Sequence, residues 1–564
     1  MKCSRTVVLL VFGVLGALGA GCSEAPPPAP DRPAAVAERP PLDVRESTIP
    51  AMQEAMAAGA VTSRALVEAH LLRIALYEDA VNAVMTVNDA ALREADRLDA
   101  ERAAGRVRGP LHGIPIALKD NIHTIDMPTT GGALAFEGFV PPYEATLTTL
   151  LRDAGAVIIA KTVMTELANF TARGMPGNYS AVGGYGLNPY DPRRDPREGR
   201  DDGRPVLGVG GSSSGIGTAM SFWAANVGTE TSGSILSPAN ANMLAAVKPT
   251  VGRVSRWGVI PIAADQDTAG PMARTVTDAA ILLGALEGAA PDPNDAATAR
   301  CPAPEGGDYT AFLDAGALAG ARIGIPRAYY YDAVTAPGSD EMRGGLSEAQ
   351  RAVMAEAIGA LRAAGATIVD PADIPSIVAP DAAANLLAQG PSSVLNYGMK
   401  RDFNAWLASL GDTAPVASLT ELREWNLAHR DRGTLKYGQA RLDGADEIDL
   451  EADRAAYARD RARDLELNGT QGIDAALAAH DLDALLFPGS WGAGIAARPG
   501  YPTVIVPFGR AAPEANPPFP EGFEPAPRPL GVSFTGTACS EPRLLAFAYA
   551  FEQATQRREA PDFP

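Results

Sequence analysis

Apolar and polar positions along this chain follow two periods. TSRALVEAHLLRI opens on a capping candidate, Thr62 or Ser63, and places Val67, Leu71 and Ile74 on one stripe, which predicts an amphipathic helix. DAALREADRLDAERAAG predicts a second helix ending at Gly105, and EATLTTLLRDAG a third stopped by Gly155. Between them GIPIALKDNI alternates, with Ile114, Ile116 and Leu118 on one side and Ala117 and Lys119 on the other. AVIIAKT, ARIGIP, DALLFP and PTVIVPFG are short apolar runs that predict further strands. Strands this apolar, separated by helices, predict an α/β fold whose sheet is covered on both faces. No internal repeat is visible.

Two stretches break the rhythm. At the start, Lys2 and Arg5 precede an apolar run from Val7 to Leu18, too short to span a bilayer comfortably and proportioned like a secretory signal. It ends in LGAGC, which resembles a bacterial lipoprotein signal with Cys22 as the acylated residue, although Gly19 rather than Leu18 sits three residues before it. Cleavage near Gly21 without lipidation is the plainer alternative. Residues 25–42, APPPAPDRPAAVAERPPL, read as an extended Pro-rich tether. The expected organisation is a signal over 1–21, a tether over 22–42 and one catalytic domain over 43–564, exported to the bacterial envelope or periplasm and touching membrane only through Cys22. The second break, residues 185–207, is polar and rich in turn formers, and predicts a surface excursion with no core of its own.

Composition narrows the function classes. The net charge of −19 disfavours attraction to phosphate backbones, and no nucleic-acid partner is expected. Only six lysines occur: Lys2, Lys119, Lys161, Lys248, Lys400 and Lys436. Arginine, which does not give up its proton, carries the remaining positive charge, so a lysine kept in an apolar strand is a chemical candidate. No His/Cys cluster has metal-ligand spacing, and neither a metal nor an organic cofactor is expected. Spacing does not decide whether Cys301 and Cys539 pair, or the oligomeric state.

Three segments carry candidate chemistry: Lys119 in GIPIALKDNI, Ser212 to Ser214 in VGGSSSGIG, and Ser234 in GTETSGSILSP. Each has a plain structural reading, as a snorkelling lysine, a turn and a helix cap. VGGSSSGIG lacks the Gly-Lys-Ser/Thr ending of a phosphate loop. It does contain G-x-S-x-G between a strand-like PVLGV and a helix-like IGTAMSFWAA. That pattern admits an esterase of the α/β-hydrolase type, with Ser213 as nucleophile and His429 or His480 as its partner.

The ordered array ALKDNI, GGSSSG, GTETSGSILSP, AAVKPTVGRVSRWGVIPIAADQDTAGPMARTVTDA resembles the amidase signature family, densely from about 110 to 282. The likeness resumes in DALLFPGSWG, GYPTVIVPFG and GVSFTGTACSEPRLLAFAYAFEQAT. Within the family these stretches look most like bacterial peptide amidases, which remove C-terminal amides from peptides. The resemblance implies a single large domain with a mixed central sheet between helices. It makes Ser234 the acylated nucleophile, Ser212 the bridging serine and Lys119 the base, with the backbone amides of Thr231, Ser232, Gly233 and Ser234 forming an oxyanion hole. Three departures stand out: Ser232 where Gly or Asp is common, Leu236 where Arg is frequent, and a Ser212-to-Ser234 interval of 234 − 212 = 22 residues, about two short.

The implied reaction is amide hydrolysis by relay, without metal or cofactor. Neutral Lys119 takes the proton of Ser212, Ser212 that of Ser234, and Ser234 attacks the carbonyl of a peptide or other small amide. A non-catalytic exported binding lipoprotein is the remaining alternative. Lys248 and Asp267 are read as structural, tying loops around the site. Lys161 is expected to pair near the surface, and His112 and His123 to be hydrogen-bonded packing residues.

Overall fold

The computed structural model describes residues 43–210 and 214–563. Eleven strands form one sheet: β1 (Val84–Val87), β2 (Pro115–Lys119), β3 (Val157–Thr162), β4 (Ala225–Glu230), β5 (Ala245–Lys248), β6 (Thr268–Ala273), β7 (Arg322–Gly324), β8 (Thr367–Val369), β9 (Ala484–Pro488), β10 (Thr503–Ala511) and β11 (Arg528–Thr535). Their spatial order is β1-β3-β2-β4-β6-β5-β10-β11-β9-β7-β8. The β3-β2-β4 and β9-β7-β8 neighbours run parallel, and the centre from β4 to β9 is antiparallel. The sheet is mixed.

The alternation in GIPIALKDNI maps onto the two faces. Ile116 and Leu118 join a core with Leu282, Leu283 and Phe551 from the helices Val276–Leu286 and Glu541–Thr555. Ala117 joins another with Val67, Ile74 and Leu98 from Ser63–Val81 and Ala91–Ala103. All five residues of β2 are buried, as a strand covered on both faces requires. The helix starts and stops follow the local signals. Thr62 accepts the Ala65 amide as a cap, and Gly105 and Gly155 follow their helices with positive φ.

The 185–207 excursion is more tightly built than its composition suggests. Three Asp-x-Arg triplets close on themselves through paired hydrogen bonds, Asp191 with Arg193, Asp195 with Arg197 and Asp202 with Arg204. Arg193 and Arg197 stack 4.3 and 4.2 Å from the rings of Phe523 and Phe519, in the connection between β10 and β11. Leu187, Val206 and Leu207 are buried. The expectation of an excursion without a core is therefore corrected: local ion pairs and cation–π contacts supply what apolar periodicity did not.

Cys301 and Cys539 form a disulfide with Cα atoms 5.5 Å apart. The signal, the tether and Cys22 lie outside the described residues.

Candidate active site

Lys119 closes β2, and β4 runs parallel beside it with Leu118 opposite Val227. Parallel pairing sets the C-terminal ends of the two strands side by side, where open α/β sheets place their ligands. The Lys119 side chain is fully buried. Its Nζ donates to Thr229 Oγ1 at 2.7 Å and to the Thr229 carbonyl at 3.1 Å. Asn121 Nδ2 donates to the same hydroxyl at 3.0 Å. Burial disfavours the ammonium form and draws the amine down from 10.5 to about 7, with Asp267 and Glu230 pulling the other way. An amine in that range accepts protons near neutral pH.

Beyond Glu230 the chain turns through 231–234 into the helix Leu236–Ala241. Gly233 has φ +101°, a conformation that strains any side chain. Glu230 Oε2 accepts the amides of Ile235 at 2.8 Å and Leu236 at 3.0 Å, so a buried carboxylate satisfies two donors at the helix entrance. The Ser237 amide donates to the Gly233 carbonyl at 2.7 Å. The helix thus begins at Leu236, with Ser237 and Pro238 inside its first turn.

Thr231 is gripped twice. Its hydroxyl donates to Asp267 Oδ1 at 2.5 Å, and its carbonyl accepts from Gln266 Nε2 at 3.1 Å. Asp267 Oδ2 accepts the amides of Ile262 and Ala263, each at 2.9 Å. Burial pushes the Asp267 carboxyl up to about 6. Ser234 is 9% exposed, at the boundary between turn and solvent. Among the described residues no acceptor takes the backbone amides of Ser232, Gly233 or Ser234. Ser232 opens onto a cleft of about 310 Å³ lined by Tyr330, Trp491, Ile495, Leu467 and Asn468.

Ser212 and Ser213 lie outside the described residues. Their flanks pack on this same region. A Cβ on Gly210 would stand 2.3 Å from the Pro238 nitrogen, so only glycine fits there. Ser214 Oγ donates to Met272 Sδ at 3.4 Å. The surroundings of a nucleophile elbow are not built: residues 205–209 form no strand, and the helix that follows spans only Ile216–Ala219. His429 caps the helix Leu419–Ala428, its ring stacked 4.0 Å from Trp425. His480 ends the helix Ala475–His480.

The expectation for Lys161 is corrected. It is fully buried, donating to the Ile122 carbonyl at 2.6 Å and Thr129 Oγ1 at 2.8 Å, because β3 lies inside the sheet rather than at its rim. Lys248 is also buried and donates to the carbonyls of Ala496 and Tyr501, tying β5 to the segment that walls the cleft. His112 Nε2 meets the Leu98 carbonyl at 3.0 Å, and Trp406 Nε1 donates to His123 Nε2 at 2.9 Å. Sequence reasoning passed over Asn121, Thr229, Glu230 and Gln266. Each is within two residues of a residue it did single out, and what joins them is the pairing of β4 with β2 on one side and with β6 on the other, which the sequence does not display.

The profile of the Amidase family matches residues 65–545. A peptide amidase from Stenotrophomonas maltophilia of solved structure is similar over 92% of this chain and 99% of its own, with a TM-score of 0.77 and 38% identity. The crystal structure of an amidase family protein from Bacillus anthracis is similar over 92% and 93%, with a TM-score of 0.77 and 30% identity. A probable amidase of Arabidopsis thaliana is 33% identical over 532 residues, 93% of this chain and 92% of that protein. With that match over most of its length, on a single-domain α/β fold of the same kind, the chain belongs to the Amidase family and is a hydrolase of amide C–N bonds.

Proposed function

We propose that this amidase works through an acyl-enzyme on Ser234, with Lys119 as the base and Ser212 as the bridge between them. The observation that carries the reading is Lys119 itself: fully buried, held on two oxygens of Thr229, and drawn down to about 7. A neutral amine has a lone pair to receive a hydroxyl proton; an ordinary exposed lysine does not. As Ser234 Oγ bonds to the carbonyl carbon, its proton passes to Ser212 Oγ and the proton of Ser212 to Lys119 Nζ. The carbonyl oxygen becomes an oxyanion, met by amides of the 231–234 turn. The relay then runs backwards, the leaving nitrogen takes the proton, and the C–N bond breaks. Water repeats the sequence on the ester and regenerates Ser234. The place of Ser212 rests on the GGSSSG resemblance alone.

The substrate we favour is a carboxamide on a peptide-like acyl group. The cleft beside Ser232 supports this, with Tyr330, Trp491, Ile495 and Leu467 as apolar wall, and Gln389, Asn468, Arg463 and the Arg498–Asp464 ion pair as polar contacts for a peptide. The likeness to the Stenotrophomonas peptide amidase points the same way. Ammonia release from a panel of peptide amides, fatty-acid amides and aryl amides tests it. Peptide amides with a bulky apolar terminal residue are expected to lead in kcat/KM, and preference for simple aryl amides would refute the substrate class.

We further propose export, with a signal over 1–21, lipidation at Cys22, a tether over 22–42 and the catalytic domain over 43–564. The Cys301–Cys539 bridge supports an oxidising compartment. Labelled palmitate incorporated by the full chain and lost in Cys22→Ser is the expected result; equal incorporation by both would remove the anchor.

A further inference from the structure

Asp267 stands immediately before β6, whose Thr268 pairs with Glu230 at the end of β4. Its two carboxylate oxygens face different ways: one takes the Thr231 hydroxyl, the other the amides of Ile262 and Ala263. Asp267, Thr229, Thr231 and Asn121 line one small space of about 10 Å³, and the Thr229 hydroxyl also holds Lys119. Asn121 Oδ1 is buried there without a protein partner among the described residues. The charged groups around Asp267 are Lys119, Arg256 and Asp402, and Glu230 is the other negative charge acting on Lys119. Arg256 directs its Nε and Nη2 to Asp295 and its Nη1 to the backbone carbonyls of Ala264 and Asp267, and Asp402 takes the Ala264 amide and Arg401. The Asp267 carboxylate therefore has no arginine hydrogen-bonded to it among the described residues, and its field reaches the amine.

We infer that Asp267 is a positioning residue for the reaction: it fixes the Thr231 end of the nucleophile turn to the 262–263 backbone, and it supplies the negative charge that the buried Lys119 amine feels. The first role sets where the oxyanion amides point. The second sets the pH below which the base is occupied by a proton. The inference rests on the Ser234 and Lys119 reading above.

The test is ammonia release between about pH 5 and 9 by the wild type and by Asp267→Asn, Thr231→Val and Lys119→Met, with melting curves for each. Asp267→Asn is expected to lower kcat by about tenfold or more and to move the acid limb of kcat/KM down by roughly half a pH unit or more. Thr231→Val, which keeps the charge, is expected to lower kcat and leave the limb in place. An unmoved limb in a folded Asp267→Asn would reduce Asp267 to a structural tie and overturn the inference. If Asp267→Asn does not fold, Asp267→Glu decides, with the wild-type limb expected and a shifted limb contradicting. Wild-type rates in Lys119→Met would instead overturn the underlying reading, a distinct outcome.

Discussion

The amine of Lys119 and the hydroxyl of Thr229 stand 2.7 Å apart at the C-terminal ends of two parallel strands. This contact joins the candidate base to the strand that runs, two residues on, into the turn holding Ser234. Thr229→Val keeps the shape of the side chain but removes the hydroxyl shared by Lys119 and Asn121. It is expected to cut kcat by about 10–100-fold with KM little changed, since orientation of a base is lost rather than substrate contact. Steady-state kinetics on the best amide checks this; an unchanged kcat would make the contact incidental.

The base must be neutral to act. Because burial brings Lys119 down to about 7, its proton is on below that pH and off above it. kcat/KM is therefore expected to fall about tenfold per unit below pH ~7 and to level off above. A plateau extending well below pH 6 in a pH–rate profile would contradict a lysine base of this kind.

Glu230 holds the amides of Ile235 and Leu236 with one buried oxygen. Glu230→Ala leaves both donors without a partner and is expected to cost about 2–4 kcal/mol of stability and most of the activity. Glu230→Gln retains an acceptor and is expected to cost much less. Chemical denaturation of the two variants, read side by side, checks the order.

The disulfide between Cys301 and Cys539 spans 238 residues of sequence. Replacing both by serine is expected to lower stability by about 2–5 kcal/mol while kcat stays within about twofold, because the bridge restrains the unfolded chain and touches no residue of the Ser234 turn. Denaturant midpoints and kcat measured on the double variant check both halves.

Five of the eleven strands (β2, β3, β7, β9 and β10) and three flanking helices were legible because their cues are local: the Thr62 cap, the stops at Gly105 and Gly155, and runs too apolar to face water; the other six strands, β4 beside Lys119 among them, were not singled out. The motif residues were legible for a different reason, since GTETSGSILSP and ALKDNI are long ordered strings. The support around them was not. Thr229 meets Lys119 and Asp267 meets Thr231 only because strands far apart in sequence become neighbours, and single-sequence periodicity carries no strand order. Lys161 misled for the same reason, since a lysine ending an apolar strand looks like a rim residue until β3 is found covered by β1 and β2. The 185–207 segment misled because its cohesion comes from Asp-x-Arg pairs and two phenylalanines more than 300 residues away.

Site-mapped labelling by a fluorophosphonate as a function of pH, in the wild type and in Lys119→Met, tests the central claim most directly. The expected adduct is on Ser234, forming faster as pH rises through about 7 and lost in the variant. An adduct on Ser213, or undiminished labelling of Ser234 without the Lys119 amine, would contradict it.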